Sequence, residues 1–362
     1  MKINTITCHD VYNYGASLQA YALMRYLEGM GHQVEIVDYK PDYLSGHYRL
    51  MAADSPRVGN SKLRAVLYII LKLPGRLLSM RRKLAFDRFR EKHLKLTSIR
   101  YGSYADLHSN PPQADCFFAG SDQIWNTSRQ NGRDPAFYLM FAPQGAIRAS
   151  YAASIATDTI AEDARSLVHA GVSGLDHVSV RESTAVGLLS EMGVDDATHV
   201  LDPVFLITKE HWDSLAPIRH DDDYVLVYDF EVSEEVKRVA TDYAAKHGLK
   251  IRSIGAGKCD YADKRFPHAG PAEFVSLIRD AKFVVTNSYH AIVFCLIFGV
   301  NVYVSGRSED INSRMVDLLA QFGLTLHSFI PVADLGGSIR NVLDERLRAS
   351  KEFIAKSLGG PR

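Results

Sequence analysis

The chain has 362 residues, 46% of them hydrophobic, which is more than one ordinary core accommodates, so two domains are expected. Its 42 Lys and Arg balance 42 Asp and Glu, and this excludes whole-molecule attraction to nucleic acid. The opening MKINTITCHDV lacks the apolar run of a signal peptide, and no later stretch holds about 18 uninterrupted apolar residues, so a cytoplasmic protein without a membrane span is expected. Cys8, Cys116, Cys259 and Cys295 show no CxxC spacing and sit in or beside apolar runs, which reads as four buried thiols and no metal site.

In chain order, INTITC (3–8) predicts a strand, ASLQAYALMRYLEGM (16–30) a helix and QVEIVDY (33–39) a second strand, together a βαβ unit. The segment 61–100 carries twelve Lys or Arg against Asp87 and Glu91. It reads as a basic helical insertion, either a pair of amphipathic helices capping the first domain or a face touching an anionic membrane. Further strands are expected at 114–120, 147–154, 177–182 and 197–202, and the stretch 201–212 reads as a crossing to a second unit. That unit alternates strands at 224–230, 249–257, 282–288 and 301–306 with helices at 234–247, 271–281, 290–299 and near 310–322 and 336–357. The pattern predicts an α/β protein of two Rossmann-like, doubly wound domains facing a cleft, residues 1–205 and 206–362.

In open parallel sheets ligands bind beyond the carboxyl ends of the strands, beside helix N-termini. Polar residues recur there from both halves: Asn13 and Gly15 after the first strand, the run GSDQIWN (120–126), Ser154, Arg181 with Glu182, GAGK (255–258), and Asn287 and Ser288 before Tyr289 and His290. Taken singly, each has a plainer explanation. GSDQIWN could cap a helix at Ser121 or Asp122, with Trp125 merely packing; GAGK could be a glycine-rich turn. Arg181, flanked by apolar residues, needs an anion, either an internal carboxylate or a substrate. His290 opens a very apolar helix, where it is either a buried structural histidine or a proton-transfer group.

Six stretches then occur in one order: YNYGASLQAYAL, FFAGSDQIWN, SYAAS, VSVRES with VLDPVFL, TNSYHAIVF and INSRMVDLLAQFGL. Together, over roughly residues 2 to 325, they resemble the polysaccharide pyruvyl transferase family. The resemblance implies a GT-B-like fold and transfer of pyruvate from phosphoenolpyruvate, as a ketal, onto two hydroxyls of a sugar in an exopolysaccharide, capsule or lipid-linked precursor. It implies phosphoenolpyruvate as co-substrate and no other cofactor. His290 resembles the family's catalytic histidine and Arg181 the arginine of its VRE-type motif. Ser288, Asn287, Arg314, Arg307 and Lys258 are expected to bind the donor, and Asn13, Gly15, Ser121, Asp122, Gln123, Asn126 and Ser154 to line the acceptor side. Some branches carry Arg-Leu before the histidine; here Ser288 and Tyr289 stand there, so Arg181, Lys258, Arg307 or Arg314 is expected to supply that cation. A lipid-linked acceptor would give the basic 61–100 face a role at the membrane. Two other readings compete: a nucleotide-sugar glycosyltransferase of the same architecture, and a non-catalytic glycan-binding scaffold.

Overall fold

The computed structural model describes residues 1–45, 68, 80–255, 257, 259–307, 312–332 and 337–359. Lys258 lies outside the described residues, as do Lys62, Arg64, Lys72 and Arg76 of the basic segment and the starts of the helices expected near 310 and 336.

The first half is a parallel sheet of β1 (Lys2–Ile6), β2 (Gln33–Tyr39), β3 (Leu96–Tyr101), β4 (Cys116–Ala119) and β5 (Ile147–Ser150), ordered β3-β2-β1-β4-β5. A short parallel pair, β6 (Ser179–Val180) and β7 (Thr198–His199), continues it through single bridges from Ala149 to His177 and from Ala153 to Val180. The second half holds β8 (Tyr224–Tyr228), β9 (Lys250–Ile254), β10 (Lys264–Phe266), β11 (Phe283–Thr286), β12 (Asn301–Val304) and β13 (Ser328–Ile330), ordered β10-β9-β8-β11-β12-β13. Its strands are parallel except for β13. Strand order reverses between β1 and β4 in one half and between β8 and β11 in the other, and each reversal opens a crevice at the strands' carboxyl ends.

The central strands form because both their faces are covered: every residue of β4 (CFFA), β8 (YVLVY) and β11 (FVVT) is buried. These continuous apolar runs were the legible ones. The edge strands differ from the sequence expectation. Residues 96–101 form β3, not the end of a helical insertion, because LTSIRY pairs with β2 by its backbone while Ser98 to Arg100 face solvent. β10 and β13, only three residues each, carried no apolar periodicity to find. The expected boundary at 205/206 falls inside the short 3-10 turn Pro203–Leu206.

The halves share a core. One apolar cluster runs from Ile3 and Leu18 through Val204 and Trp212 to Phe274, Phe294 and Val302. Tyr14, at the start of the helix Tyr14–Gly29, stacks on Phe274 of the second half with ring centroids 4.4 Å apart, and its hydroxyl donates to the Ala269 carbonyl at 2.9 Å. The C-terminal helix Gly337–Ser357 returns to the first half, where the Ser350 hydroxyl accepts from the Leu201 N–H at 2.9 Å. The described part of the basic segment is docked by internal pairs. Arg90 reaches Asp10 at 2.7 Å, Lys95 reaches Glu28 at 2.6 Å and Arg100 reaches Asp38 at 2.8 Å. Lys83 pairs with Asp87, and Arg82 lies over the Tyr14 ring. Among the described residues no helix is long and apolar enough to cross a membrane.

Truncating Phe274 to Ala removes a fully buried ring that joins the halves and should cost roughly 3–5 kcal/mol. Urea denaturation followed by circular dichroism checks it; a loss below about 1 kcal/mol would mean that the stack does not hold the halves together.

Candidate active site

Two helix N-termini meet where the crevices face each other. The helix Tyr14–Gly29 follows β1, capped by Asn13, whose side chain accepts from the Ala16 N–H at 3.2 Å. The helix Tyr289–Phe298 follows β11, capped by Ser288, whose hydroxyl accepts from the Ala291 N–H at 3.5 Å. Neither helix has an acidic residue in its first turn, so neither positive dipole end carries a carboxylate of its own. Their first turns line a cleft of about 130 Å³, together with Asp122 and Gln123 from the first half and Tyr228, Asn287, Arg307 and Arg314 from the second.

Gly15 touches His290 directly. A Cβ on Gly15 would lie 2.0 Å from His290 Nδ1, so only a residue without a side chain lets the imidazole sit there. The other ring nitrogen, Nε2, faces the Asp202 carboxylate at 3.5 Å. Asp202 is fully buried and also accepts from Arg181 Nη1 at 2.8 Å and from the Val204 N–H at 3.0 Å. Burial would raise the Asp202 carboxyl, but His290 and then Arg181 outweigh it and hold it well below the usual carboxylate range. Asp202 therefore stays ionised and orients the imidazole.

Arg181 is 2% exposed and does not line the cleft. Besides Asp202 it has Glu182 at 3.5 Å and Asp122 at 3.8 Å, and its guanidinium lies 4.8 Å from the Tyr289 ring centre. Three carboxylates and one ring thus surround it behind the cleft wall. Burial lifts the Glu182 carboxyl, against the pull of Arg181 and of the Ser154 hydroxyl donating to it.

Arg314 occupies the contrasting position. It lines the cleft, is 9% exposed, and among the described residues has no carboxylate within ion-pair distance. With its amide oxygen turned to Arg314, Gln123 accepts from both terminal guanidinium nitrogens, at 2.5 and 2.9 Å. Burial first and then repulsion from Arg181 push Arg314 down to about 10, so at neutral pH it is a charged group that an incoming anion would relieve. Arg307, above the Phe230 ring at 4.9 Å, has Glu231 at 3.5 Å.

Of the expected site residues, the cleft brings together Asn13, Gly15, Asp122, Gln123, Asn287, Ser288, His290, Arg307 and Arg314. Ser121, Asn126, Ser154 and Arg181 stand behind it. Ser121 is fully buried, its N–H donating to Gln19 Oε1 at 3.0 Å and its hydroxyl to the Ala152 carbonyl at 2.8 Å. Asn126 accepts from the Ser128 N–H at 3.0 Å. No helix begins at Ser121 or Asp122, and Trp125 packs, fully buried, donating to the Phe137 carbonyl at 2.9 Å. Sequence reasoning missed Asp202 and the aromatic wall of Tyr228 and Phe230. The signal for Asp202 was the Asp-Pro pair of VLDPVFL, read as a strand end, as the start of a crossing and as part of the family resemblance, but not as a site residue.

The profile of the family described as polysaccharide pyruvyl transferase matches residues 13–309. A comparison with curated protein sequences finds no match. Among solved structures, the chain is similar to a protein from Listeria monocytogenes described as a UDP-N-acetylglucosamine 2-epimerase, at 12% identity, covering 100% of this chain and 91% of that one with a TM-score of 0.51. It is also similar to the UDP-GlcNAc 2-epimerase of Neisseria meningitidis, at 12% identity and a TM-score of 0.49 over 99% of both chains. The glycosyltransferase SsfS6 of Streptomyces sp. SF2575 is similar at 14% identity and a TM-score of 0.39, over 100% of this chain and 97% of that one. With two doubly wound domains in this arrangement, the fold is GT-B-like.

Asp202→Asn removes the anion between Arg181 and His290 and should destabilise the protein at pH 7 by roughly 3–5 kcal/mol, the cost of breaking a buried ion pair. Because the folded carboxyl titrates below its unfolded value, its contribution is complete above about pH 4 and fades as pH falls further. The stability gap between parent and variant should therefore narrow below about pH 4. A pH series of denaturation curves with a constant gap would contradict this assignment.

Proposed function

The chain belongs to the polysaccharide pyruvyl transferase family, and from that premise we propose that it transfers the pyruvyl group of phosphoenolpyruvate onto two hydroxyls of a sugar as a ketal. The observation that carries this reading is the pairing, in one small cleft, of an imidazole backed by a buried carboxylate with a buried arginine that lacks an anion among the described residues. A donor bearing both a carboxylate and a phosphate suits a site with Arg314, Arg307 and two helix N-termini. Arg314 takes the role expected of the arginine that some branches carry before the histidine. Lys258 is retained as a further donor-binding residue on its sequence position alone.

In the proposed sequence, protonation of the methylene carbon makes a methyl group and leaves a cation-like carbon. One sugar hydroxyl adds there and gives up its proton; a second then displaces phosphate and closes the ketal. The balance is phosphoenolpyruvate plus diol giving ketal plus phosphate. His290 carries the proton, with Nδ1 toward Gly15 and the cleft and Nε2 held by Asp202. Arg181 acts as a positioning residue: it keeps Asp202 ionised rather than gripping the donor. Tyr228 and Phe230 offer aromatic surface to the acceptor. Contact of the 61–100 segment with an anionic membrane, as for a lipid-linked acceptor, is a separate element of the proposal. It rests on exposed Arg81, Arg88 and Lys92, since neighbouring cations are paired internally.

Phosphate release from phosphoenolpyruvate, with a panel of galactosides, glucosides and N-acetylhexosamine glycosides, tests the reaction. Acceptor-dependent release is expected, and His290→Ala should lower it on the order of 10²–10⁴-fold with folding intact. Stabilisation by a nucleotide sugar but not by phosphoenolpyruvate would overturn the donor; glycan binding that survives His290→Ala, without turnover in the parent, would make the protein a scaffold.

Gly15→Ala should reproduce most of the His290→Ala loss although it deletes nothing, because the added methyl displaces the imidazole. Turnover within about twofold of the parent would show that the ring's present placement is not the active one.

A further inference from the structure

Closing a ketal needs an acid and a base. A proton must reach the methylene carbon, and another must leave the hydroxyl that attacks. His290 serves the first need and leaves the second without a group. Among the described residues lining the cleft, Asp122 is the only carboxylate. Arg307 and Arg314 are guanidiniums, which offer no site for a further proton. Burial pushes the Tyr14 phenol up to about 12 and Tyr289 well above its ordinary value, so both keep their protons.

The fold holds Asp122 in place from two sides. It follows β4 in a left-handed conformation, φ 73°, which Asp adopts more readily than most side chains. Its carbonyl accepts from the Ile124 N–H at 2.7 Å and from the Ser154 N–H at 3.0 Å, so the backbone is pinned while the side chain reaches the cleft. The carboxylate is 17% exposed and faces Arg181 Nη2 at 3.8 Å, beyond hydrogen-bond length. Among the described residues no donor hydrogen-bonds to it, so it is left to meet a ligand.

Arg181 therefore stands between two carboxylates. Nη1 holds Asp202, which orients His290, and Nη2 faces Asp122. One buried guanidinium thus relates the imidazole from the second half to a carboxylate from the first, and both line the same cleft. The residue after Asp122 is Gln123, which receives Arg314, so a donor held by Arg314 would lie beside Asp122.

We propose that the Asp122 carboxylate is the base that takes the proton of the attacking sugar hydroxyl. This rests on the pyruvyl-transfer reading of the cleft and assigns the group that reading lacks. As His290 gives its proton to the methylene carbon, the first hydroxyl oxygen bonds to the neighbouring carbon and its proton passes to Asp122. The second hydroxyl then displaces phosphate. The phosphate oxygen leaves with the bonding pair and takes the proton from Asp122, while the second hydroxyl's proton restores the imidazole. Both side chains end as they began.

The test compares the parent with Asp122→Asn and Asp122→Gly, two residues that also accept a left-handed backbone. Acceptor-dependent phosphate release gives kcat, and calorimetry gives the dissociation constant for phosphoenolpyruvate. In both variants kcat should fall on the order of 10²–10⁴-fold. Phosphoenolpyruvate should bind at least as tightly as to the parent, because an anion has been removed from beside it. A residue that merely placed Arg181 would weaken donor binding instead. A kcat within about threefold of the parent in either folded variant would overturn the assignment. So would donor binding weakened about tenfold or more in both, or loss of fold in both by circular dichroism. If the parent itself releases no phosphate from phosphoenolpyruvate with any acceptor, the pyruvyl reading falls and this assignment with it; turnover by the parent that survives in the variants defeats the assignment alone.

Discussion

Asp202 is a carboxylate without access to water, and the site depends on its remaining an anion. Taking a carboxylate out of water costs several kcal/mol unless partners restore what hydration supplied. Arg181, His290 and the Val204 N–H do so from three different elements. β6 delivers Arg181, the turn after β7 delivers Asp202, and the helix after β11 delivers His290, so both halves must be docked before the carboxylate is satisfied. The same contact that fixes the imidazole therefore records that the two domains have come together.

Around that carboxylate the arginines divide their work by access. Arg181 and Arg314 both border the Tyr289 ring, at 4.8 and 6.0 Å from its centre. Arg181 is neutralised by carboxylates from within the fold. Arg314 faces the cleft with the neutral Gln123 beside it, and repulsion from Arg181 adds to the cost of its burial. Of these two buried cations, carboxylates of the fold neutralise Arg181, whereas Arg314 has no carboxylate within ion-pair distance among the described residues, and an anion entering the cleft would relieve it.

Much of this was legible as sequence because covered parallel strands are written as plain apolar runs, and the turns after them are written in polar letters. FFAG before SDQ and VVTN before SYH lead to residues that line the cleft, as do the asparagine and glycine after the first strand. What sequence could not show is direction. Ser121 and Ser154 belong to the same polar clusters as Asp122 and Ser288, yet their hydroxyls turn inward, to the Ala152 carbonyl and to Glu182. Gly15 was expected to line the acceptor side; it does border the cleft, but the atom filling the place of its missing Cβ is His290 Nδ1. Both differences arise from contacts between residues far apart in sequence, Gly15 with His290 and Ser154 with Glu182, which no local pattern encodes.

The basic segment shows the same limit in its charges. The chain is neutral as a whole, so twelve cations against two acids between 61 and 100 leave the remainder net acidic by ten. Such separation reads naturally as a surface for an external anion. In the fold, part of it closes internally: Asp10 in the loop after β1, Asp38 near the end of β2, and Glu28, late in the first helix, each accept a cation from residues 90–100. Asp10 and Asp38 are buried, and Asp10 takes Lys40 as well. Those carboxylates belong to the opening βαβ unit, whose helix carries Gly15. Neutralising them docks the basic segment onto that unit, where Arg82 covers Tyr14 and Phe86 packs against it at 5.1 Å. Part of the charge that seemed available to a membrane is thus spent holding the residue next to Gly15, and through it the surface on which His290 rests.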